Sequence, residues 1–136
     1  MAYCIPDRLP SKASRGEDRT FHILKKLPDN YLVYYEPNIS NRRPDFIVIA
    51  PDMGVIVIEV KGWYIDDILY GNDSEVVILD NNLEKRATHP LEQARQYMWR
   101  LVKACQNNPH YTHLLHQEEG RLKNKFKFPF AHFVLL

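Results

Sequence analysis

The feature that most constrains this chain is a pair of β-branched apolar runs, Asp45-Phe46-Ile47-Val48-Ile49-Ala50 and Val55-Ile56-Val57-Ile58-Glu59-Val60-Lys61, separated by Pro51-Asp52-Met53-Gly54. A short connection containing Gly marks a hairpin. Both runs are apolar at successive rather than alternate positions, so each strand must be covered on both faces. Side chains alternate across a strand, and Glu59 and Lys61 therefore share a face with Val55 and Val57. An antiparallel pair turning at residues 51–54 sets the start of its first strand beside the end of its second, which brings Asp45 to Glu59 and Lys61. Charged side chains on the buried face of an apolar strand are costly unless they pair or hold an ion.

The remaining pattern supplies the covering layers. Ser14 offers an N-cap, Glu17 follows at capping-box spacing, and Phe21, Leu24 and Leu27 recur at helical intervals until Pro28-Asp29-Asn30 ends the helix. Residues 1–13, rich in proline and mixed polar residues, read as an irregular lead-in to a domain over residues 14–136. Residues 32–35 predict a short strand ended by Pro37, followed by a polar loop at 38–43. Residues 65–70 and 75–79, around Gly71-Asn72-Asp73-Ser74, predict a second, peripheral hairpin. Thr88 or His89 opens a second helix with Pro90 in its first turn. Its stripe of Leu91, Ala94, Met98, Leu101, Val102 and Cys105 runs to a stop at Asn107-Asn108-Pro109. After a polar stretch, residues 129–136 predict another buried strand. The chain stops inside that strand without a polar tail, the pattern expected of a fragment cut from something longer.

Composition narrows the class without naming a task. The 136 residues, 45% hydrophobic and 26% charged, suit one domain with one core. No segment approaches the ~20 apolar residues of a membrane span, and the N-terminus lacks the pattern of a secretory signal. Cys4 and Cys105 lie far apart and match no metal spacing, so free thiols in a reducing, cytoplasmic setting are expected. A net charge of +1 says little about partners. Nucleic-acid affinity comes from local basic surface, and Lys25-Lys26, Arg42-Arg43, Lys85-Arg86 and the run of Arg121, Lys123, Lys125 and Lys127 are equally ordinary solvated faces.

Two carboxylates and an ammonium at one sheet end suit a particular chemistry. Mg²⁺ takes hard oxygen ligands, one or two carboxylates among them, with water and substrate phosphate completing the octahedron. Such an ion polarises a scissile phosphate, and a neighbouring lysine positions water or neutralises developing charge. Glu17 lies on the core-facing stripe of the first helix, four residues before Phe21, from where it either reaches the same ion or serves only as the capping-box glutamate. The alternative for Asp45, Glu59 and Lys61 is a structural ion pair, Glu59 with Lys61 or Asp45 with Arg42 or Arg43.

Ser14-Arg15-Gly16-Glu17, Arg43-Pro44-Asp45-Phe46-Ile47-Val48-Ile49 and Gly54-Val55-Ile56-Val57-Ile58-Glu59-Val60-Lys61-Gly62 resemble the nuclease-related domain, NERD, of the PD-(D/E)xK nuclease superfamily. The resemblance runs from about residue 14 to at least residue 105. It implies an α/β fold with a central mixed β-sheet flanked by α-helices, a restriction-endonuclease-like core, and a Mg²⁺ or Mn²⁺ site hydrolysing phosphodiester bonds in DNA. Carried over by position, Asp45 and Glu59 would hold metal with Glu17 and the backbone carbonyl of Val60, and Lys61 would serve the attacking water. Gln93 and Tyr97 resemble the Gln-x-x-x-Tyr motif of recombination-type members, with a surface Gln and a snorkelling Tyr as the alternative. Domains of this kind are often joined to a helicase, which makes DNA processing or repair the expected setting.

Other features are set aside. His110, His113 and His116 do not line one α-helical face and read as solvated loop residues. Trp63 and Tyr64 read as aromatics closing the rim of a core rather than as stacking platforms. There is no Gly-rich phosphate loop. The competing function is a non-catalytic module binding DNA or protein, its acidic centre kept as structure.

Overall fold

The computed structural model describes residues 1–136. The hairpin at its centre joins β3 (Phe46–Ala50) to β4 (Gly54–Val60), antiparallel, with Phe46 opposite Ile58 and Ala50 opposite Gly54. Gly54 is required at this turn on two grounds. Its φ of +102° lies in the region that side chains disfavour, and a Cβ there would stand 1.8 Å from the Pro129 carbonyl oxygen. That carbonyl accepts a hydrogen bond from Val55 N–H at 3.1 Å and leads β8 (Phe130–Leu135) alongside β4 in parallel.

On the other side β2 (Leu32–Tyr35) pairs antiparallel with β3, and β1 (Tyr3–Ile5) pairs parallel with β2. The sheet order β1-β2-β3-β4-β8 is mixed, as expected. β1 departs from the irregular lead-in expected over residues 1–13: Ala2 and Cys4 are buried against the core, so this segment has a side to cover.

Both faces of the sheet are covered. Helix α1 (Arg15–Leu24) lays Phe21 and Leu24 on Phe46, Val48, Ala50, Ile58 and Val33. Its capping box is complete, with Ser14 Oγ accepting from Glu17 N–H at 3.1 Å and Glu17 Oε2 accepting from Ser14 N–H at 2.7 Å. Helix α2 (Pro90–Asn107), capped by His89, lays Ala94 and Met98 on Ile47, Val55 and Val57 on the opposite face. Each of the Val, Leu, Ile, Phe and Met side chains among these stabilises the fold by about 1.5–3 kcal/mol when fully withdrawn from water. No helix is long and apolar enough to cross a membrane.

Three further expectations need correction. The second hairpin is a three-stranded meander, β5 (Ile68–Gly71), β6 (Glu75–Asp80) and β7 (Leu83–Thr88), preceded by a 3₁₀ turn at Ile65–Asp67. β7 carries Glu84, Lys85 and Arg86 on exposed backbone, and no apolar alternation betrays it. The polar stretch after α2 contains a 3₁₀ helix (Pro109–Leu114) and folds Leu115 and Phe126 into a small third cluster with Val102 and Cys105. β8 is a strand but not a buried one, since it forms the sheet edge and Phe133 is 48% exposed. The apolar cluster beneath α1 stops at β4 and leaves β8 uncovered on that face.

Gly54→Ala tests the hairpin. The backbone at Gly54 and the Pro129 carbonyl both oppose a methyl group, so we expect a loss of more than about 2 kcal/mol in urea unfolding. An unchanged midpoint and slope would refute this account of the turn.

Candidate functional site

One residue beyond the Phe46–Ile58 pair, the antiparallel register sets Asp45 opposite Glu59. Here the ladder has run out, and Val60 N–H donates to the side chain of Asp45, with Oδ2 at 2.7 Å. Glu59 is 3% exposed. Its Oε1 lies 3.4 Å from Lys61 Nζ, while its Oε2 is buried with no hydrogen-bond partner. Lys61 follows the end of β4, anchored by its N–H on the Leu135 carbonyl at 2.9 Å, and its ammonium sits 5.8 Å from the centre of the Trp63 ring.

Glu17 arrives from the opposite side. Gly16 lets the first turn of α1 come close to β4, since a Cβ there would lie 3.1 Å from Val60 Cγ1. Glu17 keeps its capping hydrogen bond and also accepts from the Tyr35 hydroxyl at 3.4 Å. The two readings of Glu17 left open by the sequence are therefore compatible in space. Capping fixes the side chain, and one of its oxygens falls within 4.8 Å of oxygens from Asp45 and Glu36.

Glu36 was not anticipated. It follows β2 in a left-handed conformation, φ +46°, and its N–H donates to the Asp45 carbonyl at 2.9 Å. Its carboxylate also pairs with Lys12 at 3.5 Å. No sequence pattern marks it; only the observed register, with Tyr35 opposite Phe46, sets residue 36 beside residue 45.

Gln93 and Tyr97 hydrogen-bond to each other at 3.2 Å on α2. Tyr97 packs against the Ile47, Val55 and Val57 cluster, the sheet face that Glu59 shares by alternation. No hydrogen bond joins Gln93 to the carboxylates; its side-chain amide is spent on Tyr97. Of the aromatics expected to close a rim, Trp63 is partly buried, but Tyr64 is 78% exposed and closes nothing. An apolar cavity of about 480 Å³ lies at the other end of α2, against Leu101, Cys105 and Phe128, and includes none of these carboxylates.

The electrostatics describe a centre short of positive charge. Burial raises the Asp45 carboxyl to about 7; the Val60 hydrogen bond opposes this, and the charges of Glu59 and Glu17 add to it. Burial also raises Glu59, against the pull of Lys61. Tyr35 is pushed well above the usual phenol range, chiefly by burial and then by the charges of Glu17 and Glu36. A buried carboxylate oxygen without a donor costs free energy that only a proton or a cation can offset. All-oxygen donors of this kind match Mg²⁺ or Mn²⁺. Adjacent oxygens around such an ion lie about 3 Å apart, from bonds of about 2.1 Å; one oxygen each from Glu17, Glu36 and Asp45 lies within 4.8 Å of the others, so these carboxylates draw inward to share one ion. The residues present therefore fit the ion.

A pH dependence follows. Between the unfolded carboxyl value of about 4 and the folded value of about 7, folded Asp45 holds a proton that the unfolded chain has lost. Stability of the cation-free protein therefore falls as pH rises through that window, and Glu59 contributes with the same sign. Asp45→Asn keeps an acceptor for Val60 N–H and should stabilise the EDTA-treated protein by about 1–3 kcal/mol at pH 8 while reducing the slope. Melting curves from pH 5 to pH 8 check this, and a variant less stable than wild type at pH 8 would contradict it.

Comparison with known proteins yields one match. The family profile described as NERD, nuclease-related domain, matches residues 12–130. Neither the curated proteins nor the solved structures compared with the chain give a match. With that profile spanning most of the chain, and a mixed sheet flanked by helices beneath it, this chain belongs to the nuclease-related domain family.

Proposed function

We propose that this domain is a Mg²⁺- or Mn²⁺-dependent nuclease hydrolysing phosphodiester bonds in DNA. The observation that carries the reading is the buried, unpartnered Oε2 of Glu59, set beside Asp45 and Lys61 at one end of an otherwise apolar hairpin. Asp45, Glu59 and Glu17 would hold the ion, with the carbonyl of Val60 as a further donor. When bound, the ion supplies charge stabilisation for the phosphate and acidifies nearby water.

The chain's own groups do the rest. Lys61, its side chain 23% exposed, is held by Glu59 and Trp63 with its ammonium at the solvent edge of the carboxylates. From there it hydrogen-bonds the attacking water and opposes charge building on the phosphate. Arg42 and Arg43, both exposed in the loop before Asp45, are placed to neutralise backbone phosphates. Gln93 and Tyr97 stand as polar groups on the adjoining face of α2, where either can contact the strand once their mutual hydrogen bond opens. Hydrolysis adds water across the P–O bond, leaving a phosphate and a hydroxyl at the cut.

The setting we propose is DNA processing or repair, beside a helicase fused to or associated with the domain. The chain has no phosphate-cradling glycine loop, so strand separation driven by a nucleotide must come from another module. Cys4 and Cys105 are free and buried, which fits a reducing, cytoplasmic compartment.

Glu59→Gln and Lys61→Ala should each slow Mn²⁺-dependent cleavage of a labelled DNA by about 10²–10³-fold while the circular dichroism spectrum is retained. Folded variants that cleave at the wild-type rate would reject the nuclease reading in favour of a binding module.

A further inference from the structure

Glu36 lies outside the acids assigned above, yet its carboxylate joins those of Glu17 and Asp45 with one oxygen from each within 4.8 Å of the others. Adjacent carboxylates alone prove nothing, since acids cluster on many surfaces. Two further observations bear on this cluster. Glu59, 3% exposed, holds its Oε2 without a partner, and the β3–β4 register sets it opposite Asp45. Ion pairing around it is also sparse: Glu36 pairs with Lys12 and Glu59 with Lys61, while no salt bridge joins Glu17 or Asp45 to a cation.

The contacts of Glu36 suit a ligand better than a plain salt bridge. Its backbone N–H is tied to the Asp45 carbonyl at 2.9 Å, so the two acids move together. Tyr35 donates its hydroxyl to Glu17 at 3.4 Å, and the charge of Glu36 acts on the same hydroxyl, so both acids lie about one phenol. The one cation paired with Glu36, Lys12, is 68% exposed and held at 3.5 Å. An exposed pair of that kind is weak and readily exchanged.

We propose that Glu36 is a direct ligand of the divalent cation, so that the end of β2 contributes an acid alongside those of α1, β3 and β4. Lys12 is then the counter-ion of Glu36 in the cation-free protein and competes with the metal for it. This rests on the cation-dependent reading above and extends its ligand set.

The test is Mn²⁺ binding by the full chain without DNA, followed by calorimetry and by loss of the free-ion spin-resonance signal. Glu36→Gln should weaken Mn²⁺ binding by about tenfold or more, whereas Glu84→Gln, on exposed β7, should leave it unchanged. Lys12→Ala should tighten binding by about two- to fivefold, and this gain should vanish in the Glu36→Gln background. Wild-type affinity in folded Glu36→Gln overturns the inference and leaves the nuclease reading standing. Should that variant fail to fold, Lys12→Ala decides alone, since unchanged affinity would mean Glu36 is not released to the ion. Failure of the wild-type chain to bind Mn²⁺ at millimolar concentration overturns both.

Discussion

Past the last paired residues of the β3–β4 ladder, Val60 N–H would be left unsatisfied; it donates instead to Asp45 Oδ2 at 2.7 Å. A buried backbone donor needs a partner, and here the partner is a charged side chain rather than a carbonyl. The bond fixes Asp45 at the mouth of the hairpin against the repulsion of Glu59 and Glu17, within reach of Glu17 and Glu36. Without it, an acid raised to about 7 by burial would gain by swinging into water.

The rest of the fold makes that arrangement affordable. Phe46, Val33 and Val57 are fully buried on the two faces of the sheet, and their withdrawal from water offsets the carboxylates crowded at its end. Glu17, Glu36 and Asp45 sit half-buried where both coverings stop, with Glu59 just inside them. Deeper in, their burial would be prohibitive; further out, water would screen them and leave them at ordinary pKa values. Gly16 matters for the same reason, since its missing side chain brings the first turn of α1, and Glu17 with it, against Val60.

The parts of this design governed by local rules were legible from the sequence. The hairpin, its register and the shared face of Glu59 and Lys61 followed from two apolar runs and a turn; the capping box and the Pro90 start of α2 followed from backbone chemistry. What escaped was set by tertiary partners. β1 is a strand because β2 offers an open edge, not because Tyr3-Cys4-Ile5 is distinctive. β7 carries only Leu83 and Ala87 as apolar residues and exists through its pairing with β6, closed by Asn81 and Asn82 at φ +51° and +64°, a two-residue turn whose chemistry was there to be read. Glu36 was missed because no periodicity marks it; only the β2–β3 register, applied one residue past the ladder, locates it. Burial of β8 was overstated because an apolar run does not reveal whether a further strand lies beyond it.

Topology also fixes where α2 lies. β8 runs parallel to β4, so the chain leaving β4 at Lys61 must cross back to the Gly54 end before β8 can begin. The meander and α2 make up that crossing. The start of α2 therefore lies at the Lys61 end, where His89, Pro90 and Leu91 line one cavity with Trp63 and Val134. Its far end reaches the turn, where Leu101 and Cys105 line another with Pro51 and Gly54. An α-helix carries partial positive charge at its N-terminus. Parallel pairing thus sets the positive end of α2, and Gln93 in its first turns, at the Lys61 end of the sheet. An antiparallel β8 could have followed β4 through a short turn, with no helix required across the face that carries Glu59.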